Sequence, residues 1–158
     1  MIRYVPPFIL SQFENNNYQG EMQAFVLLGD IIGFTTINDE LQKKGKEGAE
    51  EVSHIIRSIF TEPINIIERF GGFISNFAGD AFYSIFPNNS PAQFCAALYY
   101  IQSFLKTYYK NQLHPSQYPF KMRIRIGYGN VKWRIFTNEI QNEYVFFGDA
   151  IEEVQHIN

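Results

Sequence analysis

Among 158 residues there is one cysteine and one tryptophan, and no apolar run approaches the roughly 18 residues that a membrane-spanning helix requires. A lone Cys95 excludes an internal disulfide and agrees with a reducing compartment. Basic excess is missing as well. Thirteen Lys and Arg face 16 Asp and Glu, a net charge of −3, whereas a domain that grips DNA or RNA by its phosphates needs the opposite balance. Residues 1–20 hold Pro6, Pro7, Glu14 and three successive asparagines, which is no secretory leader. The three histidines His54, His114 and His156 are scattered without zinc-ligand spacing, and no glycine-rich loop runs into Lys-Ser or Lys-Thr. These absences lead to an expectation of a cytoplasmic domain that binds neither nucleic acid nor membrane.

What is abundant is apolar and aromatic. Hydrophobic residues make up 46% of the chain, with 16 Phe and 10 Tyr, enough for one real core. Residues 1–22 read as an arm packed on a domain spanning 23–158. Residues 24–29 are continuously apolar and of strand length, as in a strand covered on both faces. Thr35 or Thr36 offers a cap for a short helix reaching about Lys43. From Ala49 to Phe70 apolar residues recur every three or four positions, one face of a helix expected to kink at Pro63, where a backbone donor is missing, and to stop at Gly71-Gly72. Phe73–Phe77 and Ala81–Phe86 flank Gly79-Asp80 as a hairpin that ends at Pro87-Asn88-Asn89. Ser90 and Pro91 then start a helix with a stripe of Phe94, Leu98, Ile101, Leu105 and Tyr108. Cys95, without a nearby histidine, is expected in the core.

Residues 121–128 alternate, with Met122, Ile124, Ile126 and Tyr128 on one face. Lys121, Arg123 and Arg125 fall on the other and read as a solvated face. Val131–Phe136 and Tyr144–Phe147 read as further strands, Trp133 as packing, and Asp149–Ile157 as a last helix. The order of elements gives an α+β fold, a mostly antiparallel sheet with helices packed over one face.

Two acids stand in matching surroundings. Asp30 closes the run Phe25-Val26-Leu27-Leu28-Gly29, and Asp80 sits in Phe77-Ala78-Gly79-Asp80-Ala81-Phe82 at the expected hairpin tip. Each is held by a strand end, and two such carboxylates suit hard divalent cations of the kind that phosphoryl-group chemistry uses. The turn after Asp30 leads through Gly33 into a helix start, whose amides are a site for phosphate oxygens.

Several segments together resemble a class III nucleotidyl cyclase catalytic domain. They are Asp30-Ile31-Ile32-Gly33-Phe34-Thr35, Gly48-Ala49-Glu50-Glu51, the stretch Gly71-Gly72-Phe73-Ile74-Ser75-Asn76-Phe77-Ala78-Gly79-Asp80-Ala81, and Ile126-Gly127-Tyr128-Gly129. The ending Tyr144-Val145-Phe146-Phe147-Gly148-Asp149-Ala150-Ile151-Glu152-Glu153-Val154 is similar to the first, metal-bearing half of the bicarbonate-responsive soluble adenylyl cyclases. The likeness runs from about Arg3 to the end of the chain. It implies a ferredoxin-like, palm-type fold and conversion of ATP to 3′,5′-cyclic AMP and pyrophosphate. It implies two Mg²⁺ or Mn²⁺ ions on Asp30, Asp80 and the backbone carbonyl of Ile31, with amides of Ile32, Gly33, Phe34 and Thr35 on the phosphates. It also implies a site shared with a second cyclase-type domain.

The departures from that pattern are specific. Asn76 stands where the family carries a lysine that reads the purine or, in the soluble branch, faces bicarbonate. Glu152 and His156 align with the asparagine and arginine that stabilise the transition state, and Gln155 with the bicarbonate arginine. Ile126–Gly129 is about two residues short, and the family's last strands are missing. The expectation is therefore a half-enzyme that works only with a complementary half. The alternative is a degenerate cyclase-like module that binds nucleotide or a partner without catalysis. An enzyme making a cyclic dinucleotide would need acids after Gly71-Gly72, where Phe73-Ile74 stand instead.

Overall fold

In the computed structural model the described residues are 4–87, 90–111, 121–139 and 141–156. Arg3, the Asn88-Asn89 turn, His114 and Ile157 lie outside them. Ten elements follow in the order α1 (Pro7–Glu14), β1 (Gln19–Ile32), α2 (Phe34–Gln42), α3 (Lys46–Arg69), β2 (Phe73–Ala78), β3 (Ala81–Pro87), α4 (Pro91–Asn111), β4 (Lys121–Thr137), β5 (Asn142–Phe147) and α5 (Asp149–His156). The strands form one sheet in the order β2-β3-β1-β4-β5, with every neighbouring pair antiparallel. The α+β expectation is met.

The central strand β1 is 14 residues long and separates two apolar layers by simple alternation. Leu27 and Ile31 face the main cluster, where they meet Ile59, Phe60 and Ile67 of α3 and Phe94, Ala97, Ile101 and Leu105 of α4. Ala24, Val26 and Leu28 face the opposite way, against Ala150 and Val154 of α5. Helices thus cover both faces of the sheet and not one, because β1 is apolar on both sides and each side must be buried. The arm is part helix, part sheet. Residues 19–22 belong to β1, and α1 seats Ile9 against Trp133 and Ile135 of β4. Trp133 is packing, as its apolar neighbours suggested.

Several boundaries differ from the sequence reading for physical reasons. Neither Thr35 nor Thr36 caps α2. The capping position is Gly33, in the left-handed region at φ 74°, with no side-chain cap bond. Helix α3 runs unbroken through Pro63, which is buried among core residues. Ser90 does cap α4, its hydroxyl accepting from the Gln93 amide at 3.3 Å. The two strands expected at 121–128 and 131–136 are one continuous β4, paired with β1 from Lys121 to Arg134. Gly127 is a point of close approach and not a break: a Cβ there would lie 2.5 Å from the Ala150 carbonyl oxygen, so glycine is what lets α5 lie on the sheet.

Two placements are corrected. Cys95 is exposed, because it lies on α4 beside the Phe94–Ala97–Ile101–Leu105 stripe and points away from it. On β4 only Met122 of the apolar face is fully buried; Ile126 and Tyr128 are exposed, since the packing of α3 and α4 does not extend over them.

Candidate active site

The site forms where β1 ends. Continuous hydrogen bonding fixes Asp30 directly opposite Ala81 on β3, and the next amide, Ile31 N–H, donates to the carbonyl of Asp80 at 3.2 Å. Asp80 occupies the two-residue turn between β2 and β3 after Gly79, whose φ is 62°. The hairpin therefore delivers Asp80 to the end of the strand that carries Asp30. The local sequence explains both positions. Ile31, with 2% exposure, anchors the strand end in the core, and Phe34 packs its ring against the same cluster, so the turn between them is pinned on both sides.

Beyond Asp30 the chain turns at Gly33 and enters α2. A helix start leaves its first amides without intrahelical partners, and here no side chain caps them. Those of Phe34 and Thr35, with the neighbouring Ile32 and Gly33 backbone, thus lie one turn from Asp30 and face an exposed surface.

Across the sheet, Asp30 is also paired with Arg123 of β4, and Leu28 with Arg125. The Arg123 guanidinium forks onto the carboxylate, Nε to Oδ1 at 3.1 Å and Nη2 to Oδ2 at 2.8 Å. Arg125 Nη1 approaches Oδ1 at 3.5 Å. The Asp30 side chain is 15% exposed and that of Arg125 16%, against 48% for Arg123. The hydrogen bonds and charge of Asp30 hold Arg123 above its already high pKa, so the guanidinium is ionised at every relevant pH. Lys121 and Arg123 are exposed, as alternation suggested, but Arg123 is also bound to an acid and Arg125 is largely buried. Period-two patterning puts them on the side away from the Met122 face, but only the β1–β4 register shows that this side meets an acid. The pair was missed because nothing in a lone Arg-x-Arg names its cross-strand partner.

The donors at this corner are oxygens: two carboxylates and backbone carbonyls such as that of Ile31. Such a set fits Mg²⁺ or Mn²⁺ that keeps most of its shell for water and phosphate, and not a cage built by protein alone. Among the described residues no group of three or more His, Cys, Asp or Glu could hold a metal. Guanidinium groups contact both oxygens of Asp30, so a cation ligated there would share the carboxylate with them or displace them.

On the same side of the sheet, Asn76 lies opposite Tyr83 in the β2–β3 register, and the Gln155 amide donates to the Tyr83 hydroxyl at 3.4 Å. The two positions singled out as departures therefore meet at one tyrosine. The Asn76 carboxamide is held by Ser75, whose hydroxyl donates to Oδ1 at 3.0 Å. Glu152 and His156 are exposed on α5, while Glu153 accepts from the Tyr128 amide at 3.1 Å and ties the helix to β4. His54 is on the exposed face of α3, well separated along the fold from the acids.

Comparison with known proteins bears on the fold. No family model matches the chain. Over 130 residues, 80% of the chain, it is 24% identical to the rabbit (Oryctolagus cuniculus) protein adenylate cyclase type 10, of which it spans only 8%. A bacterial light-regulated adenylyl cyclase superposes over 96% of the chain with a TM-score of 0.79 and 18% identity, and the chain covers 45% of it. The guanylyl cyclase Cya2 superposes over 89% with a TM-score of 0.69 and 21% identity, the chain covering 71% of it. With its antiparallel sheet, its paired strand-end acids and these neighbours, the chain has the fold of a class III nucleotidyl cyclase catalytic domain.

Proposed function

We propose that the chain is the metal-bearing half of an adenylyl cyclase of the soluble type, converting ATP to 3′,5′-cyclic AMP and pyrophosphate when paired with a complementary cyclase-type domain. One observation carries the reading: Asp30 and Asp80, far apart in sequence, meet at one end of the β1–β3 ladder beside a helix start and two arginines. Adenine as the base follows the name of the curated relative and the resemblance to the soluble branch; Asn76 by itself does not select it.

In this reading Asp30, Asp80 and the Ile31 carbonyl hold two Mg²⁺ or Mn²⁺ ions, which when bound make the ribose 3′-hydroxyl more acidic and offset charge on the departing pyrophosphate. The chain's own groups do the rest. The amides from Ile32 to Thr35 donate to phosphate oxygens at the positive end of α2. Arg125, held nearly buried beside Asp30, presents a fork toward the same place. Rigid strand ends fix these groups relative to one another, which aligns the nucleotide without further ordering. Groups that read the purine and steady the transition state come from the partner, because Asn76, Glu152 and His156 offer no fixed cation.

The test is reconstitution. Mixed with a cyclase domain that carries the purine-reading lysine and the asparagine–arginine pair, the chain is expected to form cyclic AMP from Mn²⁺-ATP, and alone to form almost none. Asp80→Ala is expected to lower turnover of the mixture by at least about a hundredfold. Because Asp80 sits in a turn, its thermal unfolding should stay within about 0.5 kcal/mol of wild type. Full activity of that variant overturns the assignment, and strong activity of the chain alone overturns the division of labour.

A second reading has its own support in Asn76, Gln155 and Glu152, which leave the Tyr83 corner without a cation. As a regulatory module the chain would bind Mn²⁺-ATP and turn nothing over even in the mixture.

A further inference from the structure

Arg123 is 48% exposed, yet its guanidinium engages both oxygens of the one carboxylate that ends the central strand. This is not an incidental surface pair. Arg123 is the direct cross-strand partner of Asp30, fixed by the longest ladder in the sheet, and Arg125 adds a second cation from two residues along the same strand. Together the three contacts engage both carboxylate oxygens of Asp30, the atoms a cation would use.

Charge balance shows what this arrangement favours. Asp30 and Asp80 contribute two negative charges, Arg123 and Arg125 two positive ones, and Lys121, on the same strand face, stands exposed beside them. Counting Lys121, two negative charges face three positive ones, so the corner carries a net charge of +1 without a metal. A divalent cation arriving alone would have to displace a bidentate, charge-assisted fork and would leave an unbalanced excess of positive charge. A cation that arrives with a triphosphate brings its own anionic oxygens, onto which the arginines can turn.

We infer that Arg123 is an internal counter-ion that stands in for the cation at Asp30 and releases it only to phosphate oxygens, so that metal and nucleotide bind this half-site together and not separately. The inference rests on Asp30 being a metal ligand, as proposed above. By linkage, whatever the triphosphate does for metal affinity the metal does for triphosphate affinity. Arg123 is here a positioning residue. Its effect falls on the ground state, and its signature is metal binding in the absence of nucleotide.

The experiment measures Mn²⁺ binding to the 158-residue chain by electron paramagnetic resonance, with and without a non-hydrolysable ATP analogue. Without nucleotide, Arg123→Gln is expected to bind Mn²⁺ about tenfold more tightly than wild type. The gain should vanish in the double variant Asp30→Asn, Arg123→Gln. Arg123→Lys, which keeps the charge and loses the fork, should fall between. With the analogue present, the difference between wild type and Arg123→Gln should shrink. If Arg123→Gln binds Mn²⁺ no more tightly than wild type when nucleotide is absent, the counter-ion role is overturned. The analogue then separates the two failures. Mn²⁺ binding that the analogue restores, and that Asp30→Asn abolishes, leaves the metal assignment standing, whereas no binding in any condition removes both.

Discussion

Asp30 shows how far one side chain's role depends on its neighbours. A carboxylate that is 15% exposed accepts a fork from Arg123 and lies 3.5 Å from Arg125, and the strand beneath it is anchored by Ile31 in the core. At the same scale Gly127 decides whether α5 can approach. Its absent Cβ would stand 2.5 Å from the Ala150 carbonyl oxygen and 3.0 Å from Glu153 Oε2. Gly127→Ala is therefore expected to destabilise the chain by about 1–3 kcal/mol, through the backbone shift that overpacking forces. Urea unfolding monitored by circular dichroism checks this, and a variant within 0.5 kcal/mol of wild type, on the scale of a neutral surface change, would show that α5 is not seated as described.

Among the elements, α1 is the one whose attachment is most open to test. Phe8 stacks on Phe73 of β2 with centroids 5.2 Å apart, meets the Trp133 ring edge-on at 5.5 Å, and touches Phe146 of β5 at 6.2 Å. One aromatic residue thus joins α1 to β2, β4 and β5. Phe8→Ala should cost about 3–5 kcal/mol if the site cannot collapse, and it should wet the only tryptophan in the chain. A red shift of Trp133 emission at low denaturant, before global unfolding, is the expected result; unchanged emission would place the anchor elsewhere. The hairpin β2–β3 is an element of another kind, since its tip carries Asp80, a ligand in the proposed function. The Ile31–Asp80 hydrogen bond couples the tip to β1, so that sheet registry sets the position of the second acid.

For the molecule as a whole, the site lies at one corner, where the β1 terminus, the β2–β3 turn, the start of α2 and the first residues of β4 come together. Nothing on α5 supplies the cation that the departures at Glu152 and His156 remove, which is why a second domain is part of the proposal. The same corner bears on regulation. Asn76 lies opposite Tyr83 and Gln155 donates to its hydroxyl, and both side chains are neutral amides, so neither offers bicarbonate a fixed positive charge. Adding bicarbonate to the reconstituted pair is expected to change turnover by less than the roughly fivefold that allosteric coupling typically brings. A larger stimulation in a cyclic AMP assay would show that another group binds the anion.

Much of this was legible from patterns whose period matches local geometry. The apolar run at 24–29 marked the central strand. Gly79-Asp80 between two apolar runs marked the hairpin, Ser90-Pro91 the start of α4, and the two acids with their flanking residues the family likeness. Those signals are local because backbone hydrogen bonding and side-chain alternation act over a few residues. What the tertiary structure alone decided is everything that depends on pairing at long range. Registry between β1 and β4 set Arg123 against Asp30, and the packing of α5 supplied the second layer that covers the face opposite α3 and α4. The helical position of Cys95 turned it outward. A one-residue slip would move each β4 arginine to the other face of the sheet, so no amount of composition or spacing could have named the acid's partner.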